Sequence, residues 1–310
     1  MMPQWDFLNF LAEKAGHNPE FSLRMQAEVT GLLRDGERTI GITGNSAGGP
    51  LKVTADLVVG ADGRHSVVRA AAGLAVDEVG APIDVFWFRL SRLSTDTTET
   101  VGRFDVGSIL VTINRGDYWQ CAFVIPKGAA GPVRDKGLPA FRSTIARLAP
   151  AMADRISEIR DWNNVKLLTV SVDRLREWFR PGLLCIGDAA HAMSPVGGVG
   201  INLAIQDAVA AANILAAPLL EGRLSAAHLK EVQDRRALPT RIVQAGQVFL
   251  QNRVIAPVIG SSGSLTVPVP IRLMSRFPIL RRIPARMMGL GIRPEHVQSP
   301  SPMIVGSVSR

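Results

Sequence analysis

Two rhythms of apolar residues divide this chain. Short continuous runs predict buried strands, with Leu57-Val58-Val59 leading into Gly60 and Leu183-Leu184-Cys185-Ile186 leading into Gly187. A helical spacing over 6–15 turns Phe7, Leu8 and Leu11 to one side, which predicts a helix with those residues inward. Residues 21–33 and 37–43 flank Asp35-Gly36, a hairpin signal, and 44–50 reads as a loop. From about Pro82 the pattern changes to successive β-branched and aromatic strands over 84–90, 108–114 and 118–125, with Arg115-Gly116-Asp117 as a turn. A helix follows over 139–148, then a strand over 165–172. A small-residue helix is expected over 203–215 and long helices over 225–253. There is no internal repeat.

Two joints between strand and helix carry the candidate chemistry. The first runs Gly60-Ala61-Asp62-Gly63-Arg64-His65-Ser66 into a short helix that Gly73 can cap. Its Asp-Gly falls at a strand's carboxyl end, where doubly wound sheets bind ligands. The second runs from Gly187-Asp188 through Ala189-Ala190-His191 and Ser194-Pro195 to Gly197-Gly198-Val199-Gly200-Ile201-Asn202. Its Asp can accept bonds from hydroxyls. Its glycines let backbone approach a flat ligand, and the free N–H groups at the helix start can bond an electronegative edge. Either joint alone is an ordinary turn. The pair, in this order and separated by a run of strands, points to a cofactor site.

These two segments resemble the DG and GD motifs of the FAD-dependent monooxygenases related to para-hydroxybenzoate hydroxylase. The resemblance implies that Asp188 binds the ribityl chain of FAD and that the loop from Pro195 to Asn202 lies along the isoalloxazine ring. Asp62 and Gly63 then support the pyrophosphate region and reduction by NAD(P)H, and Ser66 and Arg69 also fit the pattern. Gln4 matches a position that touches the flavin, and Val29 lies in the strand that passes near the adenine. The implied cofactor-binding set is Gln4, Val29, Asp62, Gly63, Gly187, Asp188, Pro195, Gly197, Gly198, Val199, Gly200, Ile201 and Asn202. The family also opens with a βαβ unit bearing Gly-x-Gly-x-x-Gly, and no such run occurs in these 310 residues. The resemblance therefore covers the later part of the family's architecture. The alternative it leaves is a truncated, catalytically impaired flavoprotein fragment or pseudoenzyme unable to hold FAD alone.

The expected fold is α/β with α+β mixing: an incomplete Rossmann-like FAD-binding domain, an inserted and mostly antiparallel β-sheet substrate domain, and C-terminal helices. The divisions are 1–80, a partial FAD-binding domain; 81–172, the substrate sheet; 173–222, the return to the FAD-binding domain; and 223–310, a helical region with a basic tail. The implied activity is hydroxylation of an aromatic or polyketide-like small molecule. NAD(P)H reduces FAD, O₂ adds at C4a, and the hydroperoxide transfers an oxygen atom, so no side-chain nucleophile is required. His191 fits loop and flavin packing better than acid–base catalysis. By analogy the polar face of the middle sheet meets the substrate, which nominates Trp87, Thr112, Asn114 and Gln120. Tyr118 is the single tyrosine, so a paired-tyrosine relay cannot be built and a para-hydroxybenzoate-like substrate is in doubt.

Composition narrows the remaining classes. Apolar residues make up 46% and charged residues 20%, which supports a packed core. Two cysteines, Cys121 and Cys185, both in strand-like runs, give neither a metal cluster nor a disulfide framework. The start has no signal-peptide pattern, and the uncharged stretch 254–271 is too rich in Pro, Gly and Ser to span a bilayer, so the expectation is a cytoplasmic protein. Of the net charge of +8, residues 261–310 supply +6 through seven arginines (272, 276, 281, 282, 286, 293 and 310) against Glu295. Such a basic, apolar stretch can lie on an anionic membrane surface, although Pro278 and Pro284 divide it. Packing on its own protein or on a second subunit is the commoner role, and a homo-oligomer is compatible with it. No nucleic-acid recognition motif is present.

Overall fold

The computed structural model describes residues 4–261, 276–277, 279 and 282–298. Helix α1 (Gln4–Gly16) is followed by an antiparallel meander of β1 (Ala27–Asp35), β2 (Arg38–Ser46) and β3 (Gly49–Thr54). Next come β4 (Val58–Gly60), α2 (Val67–Ala71), β5 (Val76–Glu78), β6 (Ile83–Ser91), β7 (Val101–Asp105), β8 (Ser108–Asn114) and β9 (Tyr118–Pro126). Helices α3 (Ala130–Asp135) and α4 (Leu138–Leu148) lead through 3₁₀ turns to β10 (Lys166–Leu168), β11 (Asp173–Leu175), β12 (Phe179–Arg180) and β13 (Leu183–Cys185). The chain ends in α5 (Gly200–Leu220), α6 (Ala226–Leu250), α7 (Ala256–Ile259) and α8 (Arg282–Gly289). This is a mixed α/β protein with antiparallel sheets.

The chain folds as two compact units. One comprises residues 1–25, 80–170 and 247–277. Its five-stranded antiparallel sheet has the order β10-β6-β9-β8-β7. Alternation puts Phe86, Phe88, Leu90, Leu110, Trp119, Cys121, Phe123 and Ile125 on one face, where Phe141, Ile145 and Leu148 of α4 cover them. Phe141 is the keystone, with its ring 5.5–6.0 Å from those of Phe86, Phe88 and Phe123. The helix expected at the start forms, but it buries none of its residues, and Leu8 and Leu11 are exposed rather than inward. A helical spacing creates an apolar stripe but does not supply the surface that covers it.

The second unit comprises residues 26–79, 171–246 and 278–310. Its hairpin at Asp35-Gly36 forms as expected, with Gly36 at φ +57°. Residues 44–50 are not a loop: β2 runs through Ser46, turns, and Gly49 starts β3, which pairs back on β2. Strand β13 pairs parallel to β4, matching Leu183 with Val58 and Cys185 with Gly60. Helix α6 is one helix running through Pro239. Helix α5 is long and apolar enough to cross a membrane by length and composition, but it packs Leu203, Ala210, Ala211 and Leu215 inside this unit. Of the basic tail, Arg272, Arg281 and Arg310 lie outside the described residues. Pro284 sits in the first turn of α8, where its missing N–H breaks no helical bond. Nothing among the described residues supports membrane contact.

Candidate functional site

The parallel pairing of β4 and β13 creates the site. Parallel neighbours release their following loops at the same end of a sheet, so the loops after Gly60 and after Cys185 emerge side by side. Gly60 permits this approach: a Cβ there would lie 2.9 Å from Val68 Cγ1 and 3.2 Å from Cys185 Sγ. Burial pushes the Cys185 thiol up to about 12, so it stays protonated and serves as packing.

On the first loop, Asp62 Oδ2 accepts the Val68 N–H at 3.1 Å and Ser66 Oγ accepts the Arg69 N–H at 2.9 Å. Both fasten the loop to the start of α2. Gly63 follows at φ +85°. Arg69, beneath it, reaches Asp173 Oδ1 at 3.3 Å. On the second loop, Gly187 adopts φ +57° and Asp188 keeps about a third of its side chain exposed. Arg64 Nη2 donates to Asp188 Oδ2 at 3.3 Å, which ties the two loops together. His191 is buried below, its ring 4.9 Å from that of Trp178 and its Nε2 2.5 Å from Asp207 Oδ2. Its contacts here are thus with Trp178 and Asp207. Burial opposes ionisation of Asp207, but His191 and Arg236 outweigh it and hold the carboxyl below the ordinary range.

Beyond Ser194 the loop passes Pro195 and the exposed Gly197 and Gly198, both with positive φ, then enters α5 at Gly200. Val199, at the cap position, makes no side-chain cap bond to the helix start. The 21-residue helix thus turns the positive end of its dipole toward this loop. Ile201 is 41% exposed, and Asn202 is half-buried beside it. Val29 lies in β1 and packs on this unit's core. Gln4 heads α1 in the other unit.

These residues fit a flavin cofactor on their own geometry. Arg64 Nη1 is buried and has no acceptor among the described residues, so it offers a donor for a bound oxygen. The positive end of the α5 dipole suits a polar ring edge, and the glycines leave part of the loop surface without side chains. The sequence places Arg64 in the first motif without a role and singles out neither Asp207 nor Arg236. Arg64 follows Asp-Gly directly, and Asp207 is the lone acid in an apolar helix, so both left a signal. Arg236 left none.

The four nominated substrate residues do not share a face. Trp87 pairs with Ala122 and lies with Gln120 on the face away from α4. Thr112 and Asn114 pair with Cys121 and Trp119 on the helix-covered face. Thr112 is fully buried and accepts from Arg103 at 3.0 Å; Asn114 bonds Thr98 O and Gly116 N. Gln120 accepts from Arg115 Nε at 2.8 Å. Polar residues in β8 thus fasten neighbouring segments, a role that alternation alone does not reveal.

The paired loops present Asp62, Arg64 and Asp188 beside a glycine-entered helix, and the chain belongs to the FAD binding domain family, whose model matches residues 1–246. It is 33% identical to 6-methylpretetramide 4-monooxygenase of Streptomyces rimosus over 98% of this chain and 73% of that protein. It is 27% identical to the FAD-dependent monooxygenase idtM of Claviceps paspali over 77% of this chain and 52% of that one. Relatives such as idtM are thus about twice the length that the chain spans. Among solved structures, the OxyS anhydrotetracycline hydroxylase of Streptomyces rimosus superposes with a TM-score of 0.69, 20% identity, and coverage of 95% of this chain and 58% of that one.

Proposed function

We propose that this protein is a FAD-dependent monooxygenase that hydroxylates an aromatic, polyketide-like small molecule using NAD(P)H and O₂. One observation carries the reading. The β4–β13 pair brings the Asp62 and Asp188 loops together, joined by Arg64 at 3.3 Å, and the second loop runs through its glycines into the start of α5. The similarity to 6-methylpretetramide 4-monooxygenase over nearly the whole chain supports the substrate class. It also favours this reading over an impaired fragment. The finer architecture we infer is a Rossmann-like cofactor domain interrupted by an inserted substrate sheet.

In this reading Asp188 would accept from ribityl hydroxyls, and Arg64 Nη1 would donate to a cofactor oxygen. Gly197, Gly198 and Gly200 would let the backbone come close to the flavin ring, and the positive end of the α5 dipole would favour its electronegative groups. Asp62 and Gly63 shape the pyrophosphate side. Bound FAD supplies the redox chemistry, taking electrons from NAD(P)H and passing one atom of O₂ to the substrate. The protein's part is to hold, orient and exclude water. On the middle sheet, Trp87 and Gln120 are the better-placed substrate contacts, because they share the face that α4 leaves free.

Titration with FAD tests the proposal, followed by flavin fluorescence and visible absorbance. Saturable binding is expected, with affinity about tenfold lower in Asp188→Ala for the loss of one charge-assisted contact. Substrate-stimulated NAD(P)H oxidation is the second readout. Absence of saturable binding, or equal affinity in Asp188→Ala, would overturn it.

A further inference from the structure

Asp207 and Arg236 are completely buried charges, and neither belongs to the loops that face the cofactor. Asp207 lies two turns into α5. Its Oδ2 accepts the Gly187 N–H at 3.1 Å and meets His191 Nε2, while its Oδ1 accepts from Arg236 Nε at 3.0 Å. One carboxylate therefore anchors both the glycine that opens the second loop and the histidine beneath it.

Arg236, on α6, turns its remaining donors the other way. Nη2 donates to Gln206 Oε1 at 3.1 Å, and Nη1 donates to the Arg293 carbonyl at 3.2 Å and Glu295 Oε1 at 3.3 Å. Glu295, itself buried, also receives a two-pronged bond from Arg235 at 2.6 and 3.0 Å. Residues 290–298 form neither helix nor strand, yet side chains of α5 and α6 hold them at several points. Asn213 donates to His296 O at 2.8 Å and accepts from Gln298 N at 2.7 Å, and Gln206 donates to Leu290 O at 3.3 Å. Gly291, at φ +82°, lets the strap pass close to Gln206, since a Cβ there would meet its amide at 2.7 Å.

We propose that Asp207, Arg236 and Glu295 are positioning residues, a relay through which docking of the 290–298 strap sets the order of the loop 187–194 and hence its affinity for flavin. The flavin part rests on the function proposed above; the coupling does not. The argument is electrostatic. A fully buried guanidinium requires acceptors for its donors. When the strap leaves, Nη1 of Arg236 loses both of its protein acceptors, and that end of the guanidinium opens to water. Its side chain is then drawn toward the opening, and Asp207 loses one of the two partners, His191 and Arg236, that hold its carboxyl ionised. The Gly187 N–H and His191 lose their fixed acceptor in turn. Strap and loop are thus two ends of one set of buried charges, and either can be ordered only at full strength with the other.

Hydrogen–deuterium exchange of the flavin-free chain tests this. Glu295→Ala removes the relay's charge at the strap. Asn213→Ala loosens the strap by its neutral clamp and leaves every charge in place. Both are expected to speed exchange in 187–194 about fivefold, with the sheet peptide 118–126 unchanged. Glu295→Gln, which keeps one acceptor, should recover part of the protection, and the exposed neighbour variant Glu231→Ala should change nothing. In a wild-type protein that binds FAD, the same two variants should raise Kd about fivefold. Faster exchange confined to 290–298 would overturn the coupling, as would acceleration spread equally through every peptide. Failure of wild type to bind FAD would sink the function while leaving the exchange result to decide the relay.

Discussion

Gly182 shows how much one missing atom can decide. It turns β12 into β13 at φ +75°, and a Cβ there would fall 2.0 Å from the Thr39 carbonyl oxygen. Gly182→Ala is expected to lower stability by about 3 kcal/mol, combining left-handed strain with a backbone clash; urea unfolding checks it. Asp96 decides in another way. It accepts from Arg155 through both oxygens, from the Trp119 ring N–H and from the Leu93 N–H. These bonds, Arg155 foremost, hold its carboxyl far below the ordinary range. A depressed carboxylate stabilises the fold above its unfolded value, and that stabilisation disappears as pH falls toward the folded value. Asp96→Asn should therefore cost about 3 kcal/mol at neutral pH, and its deficit relative to wild type should shrink below about pH 4. Denaturation midpoints between pH 3 and 8 follow this directly. At this scale the sequence displayed Asp62 and Asp188, because glycines frame them. It did not display Arg236 or Asp96, whose partners lie far away along the chain.

Elements were legible where local chemistry and packing agree. Strands β6, β8 and β9 were legible as β-branched and aromatic runs, and α4 covers one face of the sheet that they form. Strand β3 was hidden because Gly49-Pro50 is turn chemistry, and its pairing comes from β2 rather than from its own residues. Strand β7 carries only Val101 and Phe104 as apolar residues around Gly102, too little for a period. Helix α6 continues past Pro239 because tertiary packing of Leu229, Val232 and Arg236 outweighs one lost backbone bond. The layer of α4 on the sheet depends on one ring, wedged edge-on against three phenylalanines. Phe141→Ala is expected to cost about 4 kcal/mol and to expose the sheet peptides 84–90 and 118–125 to proteolysis. An unchanged thermal midpoint would contradict this account of the layer.

For the whole molecule, two units with separate apolar cores make a joint prediction. A ligand stabilises only what it binds, by about 2.7 kcal/mol at a hundredfold excess over Kd. Saturating FAD should raise the exchange protection of residues 183–202 most, while Phe141→Ala should weaken the five-stranded sheet without changing that increment. Hydrogen exchange with and without FAD, in wild type and variant, measures both effects. The order of the two motifs around a run of strands was readable because each motif is local. The division into units was harder to read, because each unit is assembled from separate segments of the chain.

The parallel pairing of β4 with β13 also sets a timetable. Val58 and Leu183 stand more than a hundred residues apart, whereas β8 and β9 follow one another through a short turn. Contacts between near neighbours close quickly, and those that span a long loop must first pay its entropy. The antiparallel sheet can therefore assemble while the first motif waits, and the ledge between the two motifs is among the last parts of the protein to form. During synthesis, the segment carrying Asp62 leaves the ribosome long before its partner strand exists. Slow folding and chaperone dependence should then concentrate in the cofactor half, and added flavin should act late, trapping a finished ledge rather than guiding its assembly.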